Sequence, residues 1–398
     1  GYDYEGDLWS PGVFRVDLEE KPSVTLIGST EEWDIIDVLS PNDARNAERD
    51  RRERLLERAL PAAQEGHTVH ETSEEAMEET ERMLRVYETF ARDYLAIPVL
   101  CGEKTESERF PGAVRTYCIE AMVQDRKAIQ AGTSHFLGQN FAKASDIKFL
   151  SRTNTQEIAW TTSWGVSTRL IGTLIMAHGD DDGLVLPPRI APSQVVIIPI
   201  TPKEDTRAAV LEACDKLAAS ISAQSYQGEP IRVEIDKRDI GGGVKSWDWI
   251  KRGVPVRVEI GPRDLEKNSA AVCRRDKGHK EKDFVSMDEL PPKLPAILEE
   301  MQSNLLQRAT EFRDSCSQRI DSKEEFYDYF TAKNSGKPEI HGGFALTHWN
   351  GSKEVEAKIK EDLKVTIRCI PFTDSPETGT CPFTGEPSRQ RVIFAKSY

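Results

Sequence analysis

Three stretches in the middle of the chain combine small residues with side chains able to hold a ligand. They cover 130–141, 161–172 and 178–189, and they place His135 and Arg169 among glycines, serines and threonines. Small residues let a ligand approach the backbone, while hydroxyls, an imidazole and a guanidinium can orient it and offset its charge. These residues alone leave two explanations open, a ligand site or a set of glycine turns between core strands.

Short elements must position these side chains. Ala159–Trp164 predicts a strand and Arg169–Ala177 a buried helix, so the strand passes into the helix over 163–169. Further upstream, apolar residues at helical spacing predict an amphipathic helix over Thr72–Leu95, with Ser73 as its N-cap. Two more strands are predicted on either side of a polar loop at 104–113, namely Ile97–Leu100 and Tyr117–Val123.

The second half of the chain has a different pattern. The proline-rich run 187–192 is a stiff connector and a predicted domain boundary. After it, alternating strands and helices predict an α/β domain, in which the apolar run Val195–Ile200 is typical of a strand covered on both faces. A long helix is predicted over Leu294–Ile320, and a small α+β unit follows. The predicted domains are 1–61, 62–192, 193–290 and 291–398.

Composition excludes some classes of protein. The 398 residues carry a net charge of −14, which argues against non-specific nucleic-acid binding through overall charge but leaves a local basic face open. No stretch approaches the ~20 apolar residues of a membrane span, and the first residues lack the apolar core of a signal peptide. Seven cysteines without a Cys-x-x-Cys pair favour free thiols in a reducing compartment, so we expect a cytoplasmic location.

Two further patterns admit a functional and a structural interpretation. Alternating charges over Asn42–Leu60 would suit an RNA-contacting arm, but a solvated helix with i,i+4 ion pairs is favoured because the charges balance. His67 and His70 near Glu65 suggest a metal site, yet their three-residue spacing differs from the i,i+4 histidine pair of a helical zinc motif.

Taken in order, the motifs of this chain resemble those of prolyl-tRNA synthetases without an inserted editing domain. The resemblance runs from about Gln64 to Tyr398, and it depends on the order and number of motifs that would each be weak alone. The matching motifs are Gln64-Glu65-Gly66-His67-Thr68, Lys104-Thr105-Glu106, 130–135, 137–141, 163–169, 183–189, 256–264 and 394–398. The resemblance implies a multidomain α+β and α/β protein. Its parts are a partial class II synthetase core on an antiparallel sheet, an α/β anticodon-binding domain and a small α+β C-terminal domain.

The family's reaction gives expected roles to particular residues. The resemblance implies a proline–tRNA ligase, which uses ATP and Mg²⁺ to activate proline as prolyl-adenylate and then transfers it to tRNA(Pro). Arg169 is then the catalytic arginine that grips the γ-phosphate of ATP, a role suited to a guanidinium. The expected proline-binding residues are Glu65, His67, His135 and Ser163, and the expected ATP-binding residues are Gln130, Thr133, Thr162 and Arg169. Trp164 and Phe136 are either pocket walls or plain core.

The anticodon-binding domain implies contacts with tRNA. We expect Lys245, Lys251 and Arg252 to hold the RNA backbone while unpaired anticodon bases stack on Trp247. The alternative is that Trp247 and Trp249 form the core of the short helix that contains them.

The sequence departs from the family before Gln64. The 63 preceding residues show neither the first class II motif, through which family members form homodimers, nor the second-motif arginine that contacts the α-phosphate. A homodimer is therefore implied by the family but less expected here. A second hypothesis stays open, in which the chain is a catalytically impaired remnant that binds tRNA.

Zinc is the remaining question that the family raises. Cys369 and Cys381 match two positions of a four-cysteine site found in some members. Trp349 and Phe383 stand where further ligands are expected, so we predict no metal site.

Overall fold

The computed structural model describes residues 66–151, 153–201, 204–334, 340–373 and 375–398. The charged segment 42–60 and Glu65 lie outside these ranges. The strands of the described residues are β1 (Gly66–His70), β2 (Val99–Glu103), β3 (Arg115–Met122), β4 (Ala128–Gly138), β5 (Lys148–Leu150), β6 (Gln156–Ile158), β7 (Trp160–Gly165), β8 (Val195–Pro199), β9 (Ser225–Tyr226), β10 (Glu229–Pro230), β11 (Val233–Ile235), β12 (Val256–Ile260), β13 (Ser269–Arg274), β14 (Asp283–Ser286), β15 (Ser317–Arg319), β16 (Phe344–His348), β17 (Val365–Pro371), β18 (Gly379–Thr380), β19 (Pro387–Ser388) and β20 (Arg391–Lys396). The helices are α1 (Ser73–Thr89), α2 (Asn140–Ala144), α3 (Arg169–His178), α4 (Glu204–Ser222), α5 (Gly242–Lys251), α6 (Pro262–Glu266), α7 (Leu290–Ser315), α8 (Lys323–Phe330) and α9 (Lys353–Leu363), and a π-helical turn at Phe90–Tyr94 continues α1.

One sheet carries both the middle of the chain and its C-terminal strands. Its order is β1-β7-β4-β3-β2-β17-β20-β16-β15, and all neighbours are antiparallel except β16 and β15. Strands β2 and β17 join the two halves. A Cβ atom on Gly102 of β2 would lie 2.8 Å from the Cβ atom of Cys369, so this close approach depends on glycine. The sheet therefore crosses from the predicted domain 62–192 into the predicted domain 291–398.

Helix α1 covers one face of this sheet. Its N-cap is Thr72, whose hydroxyl accepts a hydrogen bond from the amide of Glu75, so the prediction of Ser73 was wrong by one residue. The buried stripe of α1 packs on β3 and β4, where full burial of a side chain such as Leu84 contributes roughly 1.5–3 kcal/mol. Ser134 of β4 points to the same side, because its hydroxyl donates to the carbonyl of Thr80 at 2.8 Å.

The predicted α/β domain is a mixed sheet of order β11-β8-β12-β13-β14, parallel from β11 to β12 and antiparallel beyond. Helices α4 and α7 cover one face, and α5 covers the other through Trp249, which packs on Val196 and Ile198. Every residue of β8 is buried, as its continuous apolar run predicted.

Other boundaries differ from the sequence predictions. Helix α7 begins at Leu290, with two prolines in its first turn, and ends at Ser315 instead of Ile320. The sequence analysis missed α8, although Ser322 followed by Glu325 is an N-cap signal and the Ser322 hydroxyl accepts from the Glu325 amide. The predicted fold class is confirmed. In the part of the chain that the structure describes, none of the helices combines the length and apolar character that a membrane span requires.

Candidate active site

Neighbouring strands bring distant residues of the sequence into one row. The register places His67 of β1 opposite Ser163 of β7, and Ser163 opposite His135 of β4. Residues directly opposite in antiparallel strands point to the same face of the sheet. Thr116 of β3 continues the row, with its Oγ1 atom 3.0 Å from Nδ1 of His135. Because Ser134 faces α1, the row that contains His135 lies on the opposite face.

This row lines a cavity of about 320 Å³. The lining residues are His67, Phe110, Gln130, Ala131, Gly132, Thr133, His135, Ser163, Trp164, Gly165, Val166, Ser167 and Arg169. The structure thus brings together every described residue that we predicted for the proline and ATP sites, except Thr162.

Arg169 is exposed at the first position of α3. Its Nη1 atom lies 3.4 Å from the carbonyl oxygen of Gln130, and its amide donates to Oγ of Ser167 at 3.3 Å. Among the described residues, no ion pair is formed by this guanidinium. Its five donors are therefore largely available, and two parallel hydrogen bonds to phosphate oxygens suit their geometry.

His135 is a neutral side chain of the cavity. It is 8% exposed, and burial lowers the pKa of its imidazole to about 4, so the ring carries no charge at neutral pH. The hydroxyl of Thr116 accepts a hydrogen bond from the amide of Phe110 at 3.2 Å. A proton on Nε2 of His135 lets the same hydroxyl donate to Nδ1. This tautomer directs an N–H group away from Thr116.

Phe110 is a cavity residue that the sequence analysis missed. Its ring lies 4.7 Å from the His135 ring, measured between centroids, with 36° between the planes. We had assigned 104–113 to a polar loop, in which this residue is the lone aromatic and is followed by Pro111 and Gly112. An aromatic that a turn fixes at the end of a charged loop was the signal that could have identified it.

Thr162, which we predicted to bind ATP, and Phe136, a possible pocket wall, point to the face of the sheet opposite the cavity. Thr162 is fully buried on the side covered by α1, where its hydroxyl is hydrogen-bonded to that of Thr68, so its side chain does not reach the cavity. Phe136 stacks on Trp160 with 6.0 Å between centroids and belongs to the core. Trp164 does line the cavity.

The histidine pair does not form a shared metal site. His67 and His70 lie three residues apart on one strand and therefore face opposite sides, and Nε2 of His70 is 2.7 Å from Oγ1 of Thr68. Cys369 packs against Gly102 on β2 and contacts the buried thiol of Cys118. Over the described ranges, no three His, Cys, Asp or Glu side chains are grouped closely enough to hold a metal ion.

A larger recess of about 510 Å³ lies elsewhere, between Val123–Asp125, the end of α3 and Tyr398. Several of its polar side chains are already paired. The Tyr398 hydroxyl donates to Asp125 at 2.5 Å, and Asp180 is ion-paired with Arg275. We therefore assign the candidate active site to the smaller cavity, whose guanidinium has no ionic partner among the described residues.

The expected tRNA-binding residues divide into exposed and buried ones. Trp247 is 42% exposed, and Lys251 and Arg252 are exposed beside it. Lys245 is 3% exposed and its Nζ atom donates to the carbonyl of Asp236 at 3.0 Å, so the prediction that it presents charge to RNA was wrong. Burial also lowers the pKa of Lys245. Trp249 is core, with Nε1 donating to Asp236 at 2.9 Å.

Comparisons with known proteins agree with this arrangement. A family model described as the C-terminal domain of prolyl-tRNA synthetase matches residues 337–398, and one described as an anticodon binding domain matches residues 194–297. The prolyl-tRNA synthetase of Cryptosporidium parvum, crystallised with L-proline and AMP, is 35% identical with a TM-score of 0.73. That match covers 84% of this chain and 69% of the other.

Curated relatives show the same similarity over most of their sequence. Proline–tRNA ligase 2 of Anaeromyxobacter dehalogenans is 58% identical over 339 residues, which are 84% of this chain and 66% of that protein. The proline–tRNA ligase of Akkermansia muciniphila is 54% identical over 84% of this chain and 65% of that protein. The proline–tRNA ligase of Rhodopirellula baltica is 47% identical over 100% of this chain and 78% of that protein. The chain thus spans just under two thirds of the length of the first two relatives.

Proposed function

The chain belongs to the prolyl-tRNA synthetase family, and we propose that it acts as a proline–tRNA ligase. A carboxylate oxygen of proline attacks the α-phosphorus of ATP, and the bond to the bridging oxygen of the β-phosphate breaks, so that prolyl-adenylate forms and pyrophosphate leaves. A ribose hydroxyl at the 3′ end of tRNA(Pro) then attacks the prolyl carbonyl, and AMP leaves. The observation that carries the proposal is the row His67–Ser163–His135 with Arg169 at the same cavity.

The neutral part of the cavity is proposed to bind proline. Phe110 offers an aromatic wall to the apolar ring of proline, and His135 and Ser163 offer polar groups beside it. Since His135 is uncharged at neutral pH, it does not repel the secondary ammonium of the substrate. The family resemblance adds His67 and Glu65 to this set.

The cationic part is proposed to bind ATP. Arg169 grips the γ-phosphate, while Gln130 and Thr133 contact the adenosine part, and Mg²⁺ brought in with the nucleotide would help to offset the phosphate charge. Such chemistry depends mainly on positioning the carboxylate in line with the α-phosphate and on offsetting the developing negative charge. Thr162 is left out, because its side chain is buried on the opposite face.

The proposed division of labour follows the predicted domains. Residues 62–192 and 291–398 contribute to the catalytic part, and residues 193–290 bind the anticodon of tRNA through Trp247, Lys251 and Arg252. Backbone phosphates pair with the two cations while a base stacks on the exposed indole. The proposed compartment is the cytoplasm, where free thiols and tRNA are found together.

A second candidate function is tRNA binding without catalysis. It is favoured by the anticodon-binding match at 194–297, which contains the whole sheet β11-β8-β12-β13-β14. Its binding groups are those of the first proposal, but the cavity has no role.

Proline-dependent exchange of labelled pyrophosphate into ATP tests the proposal. We expect exchange that requires proline and is not supported by alanine, whose smaller side chain leaves the Phe110 wall uncovered. If the chain shows no exchange but binds tRNA(Pro), the first proposal fails and the second stands. If it does neither, both fail.

A further inference from the structure

The loop that carries Phe110 is held by a helix from the C-terminal part of the chain. The loop follows β2 and covers 104–114, whereas α9 lies within the stretch that matches the C-terminal family model. Side chains at three positions on one face of α9, Lys353, Glu356 and Lys360, contact the loop. Since these positions are three and four residues apart, a single helix face runs along the loop.

Glu356 makes the central contact. Its carboxylate is 4% exposed and accepts two hydrogen bonds, from the Thr105 hydroxyl at 2.8 Å and from the Ser107 hydroxyl at 2.7 Å. Glu356 also lies in the first turn of α9, where the helix dipole favours a negative charge. Hydrogen bonds to a charged group contribute more to stability than hydrogen bonds between neutral groups.

The flanking ion pairs are weaker. Lys353 lies 2.9 Å from Glu106 and Lys360 lies 2.9 Å from Glu108, and the side chains of Lys353, Lys360 and Glu106 are well exposed. Exposed ion pairs contribute little to stability, because water screens the two charges. The buried Glu356 therefore accounts for most of the attachment.

The contacts of α9 with the loop affect the cavity because only a few residues separate them from Phe110. Upstream of Thr105, Lys104 is fixed by buried contacts of its Nζ atom with Glu120 and with the carbonyl of Arg368, both at 2.7 Å. Downstream, the Phe110 amide donates to the Thr116 hydroxyl, and the Phe110 ring packs on His135. A loop released at Thr105 and Ser107 would keep its first anchor but let Phe110 move off His135.

We propose that Glu356 is a positioning residue for the proline pocket: by binding Thr105 and Ser107, helix α9 holds Phe110 against His135. The geometric part of this proposal stands on the contacts above, and only its consequence for proline rests on the proposed function. It gives the C-terminal domain a defined task in shaping a pocket whose described lining residues all belong to the stretch 67–169.

Hydrogen exchange of the full 398-residue chain tests the geometric part. We expect Glu356→Ala to speed amide exchange at 105–110 by about tenfold or more, since at least ~1.4 kcal/mol of local stability is lost. Glu361→Ala is the matched control, because it makes the same change at an exposed position of α9 whose side chain forms no hydrogen bond or ion pair with residues 104–114, all of which the structure describes. Glu356→Gln retains one acceptor oxygen and should restore part of the protection. Unchanged exchange at 105–110 in Glu356→Ala would overturn the proposal.

Ligand affinity tests the consequence. We expect Glu356→Ala to weaken L-proline binding about tenfold while leaving the Kd of a non-hydrolysable ATP analogue unchanged, since Arg169 and Gln130 do not depend on the loop. If exchange rises but proline affinity stays the same, the positioning role is wrong. If the parent chain binds no proline, the proposed function fails, while the exchange result still decides whether Glu356 holds the loop.

Thr105→Val combined with Ser107→Ala covers the case in which Glu356→Ala does not fold. The double variant removes the same hydrogen bonds from the other side and should loosen 105–110 as well. In a foldable Glu356→Ala background it should add little further loosening, because both changes break one interaction. Additive effects of the two changes would contradict the proposal.

Discussion

The cavity and the anticodon-binding domain use basic side chains in opposite ways. At the cavity, Arg169 is exposed, and within the described ranges its guanidinium donates to one group, the carbonyl of Gln130 at 3.4 Å. In the other domain, several cations that look equally suited to RNA are used for internal structure. Lys245 is buried on a carbonyl, Arg275 is paired with Asp180, Arg274 is paired with Asp276, and Arg257 is fully buried.

This difference shows that the type of a residue predicts its function less well than the hydrogen-bond and ionic partners that the fold provides for it. A cation that already has hydrogen-bond acceptors inside the fold contributes to stability and has few donors left for a ligand. The clearest case is Trp249 and Trp247, two residues apart on α5. Trp249 donates a hydrogen bond to Asp236 in the core, whereas Trp247 is 42% exposed.

The largest expected effect is at Arg169. Arg169→Ala should lower the rate of proline-dependent pyrophosphate exchange by roughly 10²–10³-fold, because a preorganised donor to the transferring phosphates is lost. Arg169→Lys should recover only part of the rate, since an ammonium cannot form two parallel bonds. Arg263→Ala, at an exposed arginine of α6, is the control and should keep the parental rate. Equal rates for the two alanine variants would show that Arg169 does not bind phosphate.

A smaller expected effect is the pH dependence of folding stability that comes from histidines whose burial keeps them neutral. Burial lowers the pKa of His178 to about 4, and its Nε2 atom lies 2.8 Å from the carbonyl oxygen of Leu95. A folded pKa below the unfolded value of about 6.5 means that the unfolded chain binds more protons between pH 6.5 and 4. The stabilisation is therefore complete above pH 6.5 and is lost as the pH falls toward 4.

His178→Gln should remove this dependence while its amide can still donate to Leu95. Between pH 7 and pH 5, we expect the parent to lose roughly 2 kcal/mol more of its unfolding free energy than the variant loses. Parallel pH profiles of the two proteins in chemical denaturation would contradict the assignment. His135, whose pKa is also about 4, should give the same result in the cavity with His135→Gln.

The smallest expected effect is a difference in tRNA(Pro) affinity between variants of exposed and buried basic residues in and next to α5. Lys251→Met and Arg252→Met should each weaken tRNA(Pro) binding a few-fold and reduce its salt dependence, as expected when one phosphate contact is lost. Lys245→Met makes the same change at a buried lysine and should leave tRNA affinity as in the parent. If Lys245→Met weakened binding as strongly as Lys251→Met, the comparison between buried and exposed cations would fail.

The sequence predicted much of the fold because local patterns agreed with tertiary structure there. The stripe of α1 and the apolar run of β8 were read correctly, apart from a one-residue error in the N-cap of α1. Strand β4 was not predicted, because Gln130–His135 is rich in small polar residues and its strand conformation depends on pairing with β3 and β7 on either side.

The site residues also divide into those that the sequence predicted and those that depend on tertiary structure. The family resemblance supplied His67, His135, Ser163 and Arg169, which the structure gathers at one cavity, and their roles stay predictions. The sequence did not predict which face of the sheet a side chain points to, because successive residues of a strand point to opposite faces. For this reason Thr162 was predicted at the cavity, although its side chain is buried on the opposite face. The loop that carries Phe110 is held by Glu356, which lies almost 250 residues further along the chain. A local sequence pattern cannot predict a contact over that distance.

Binding of a sulfamoyl analogue of prolyl-adenylate, measured by calorimetry, tests the central assignment most directly. Ser163→Tyr places a bulky side chain in the middle of the row His67–Ser163–His135, and Ile175→Tyr places the same side chain in the larger recess near Tyr398. We predict that the parent and Ile175→Tyr bind the analogue alike and that Ser163→Tyr does not bind it. Binding retained by Ser163→Tyr and lost in Ile175→Tyr would contradict the assignment of the active site.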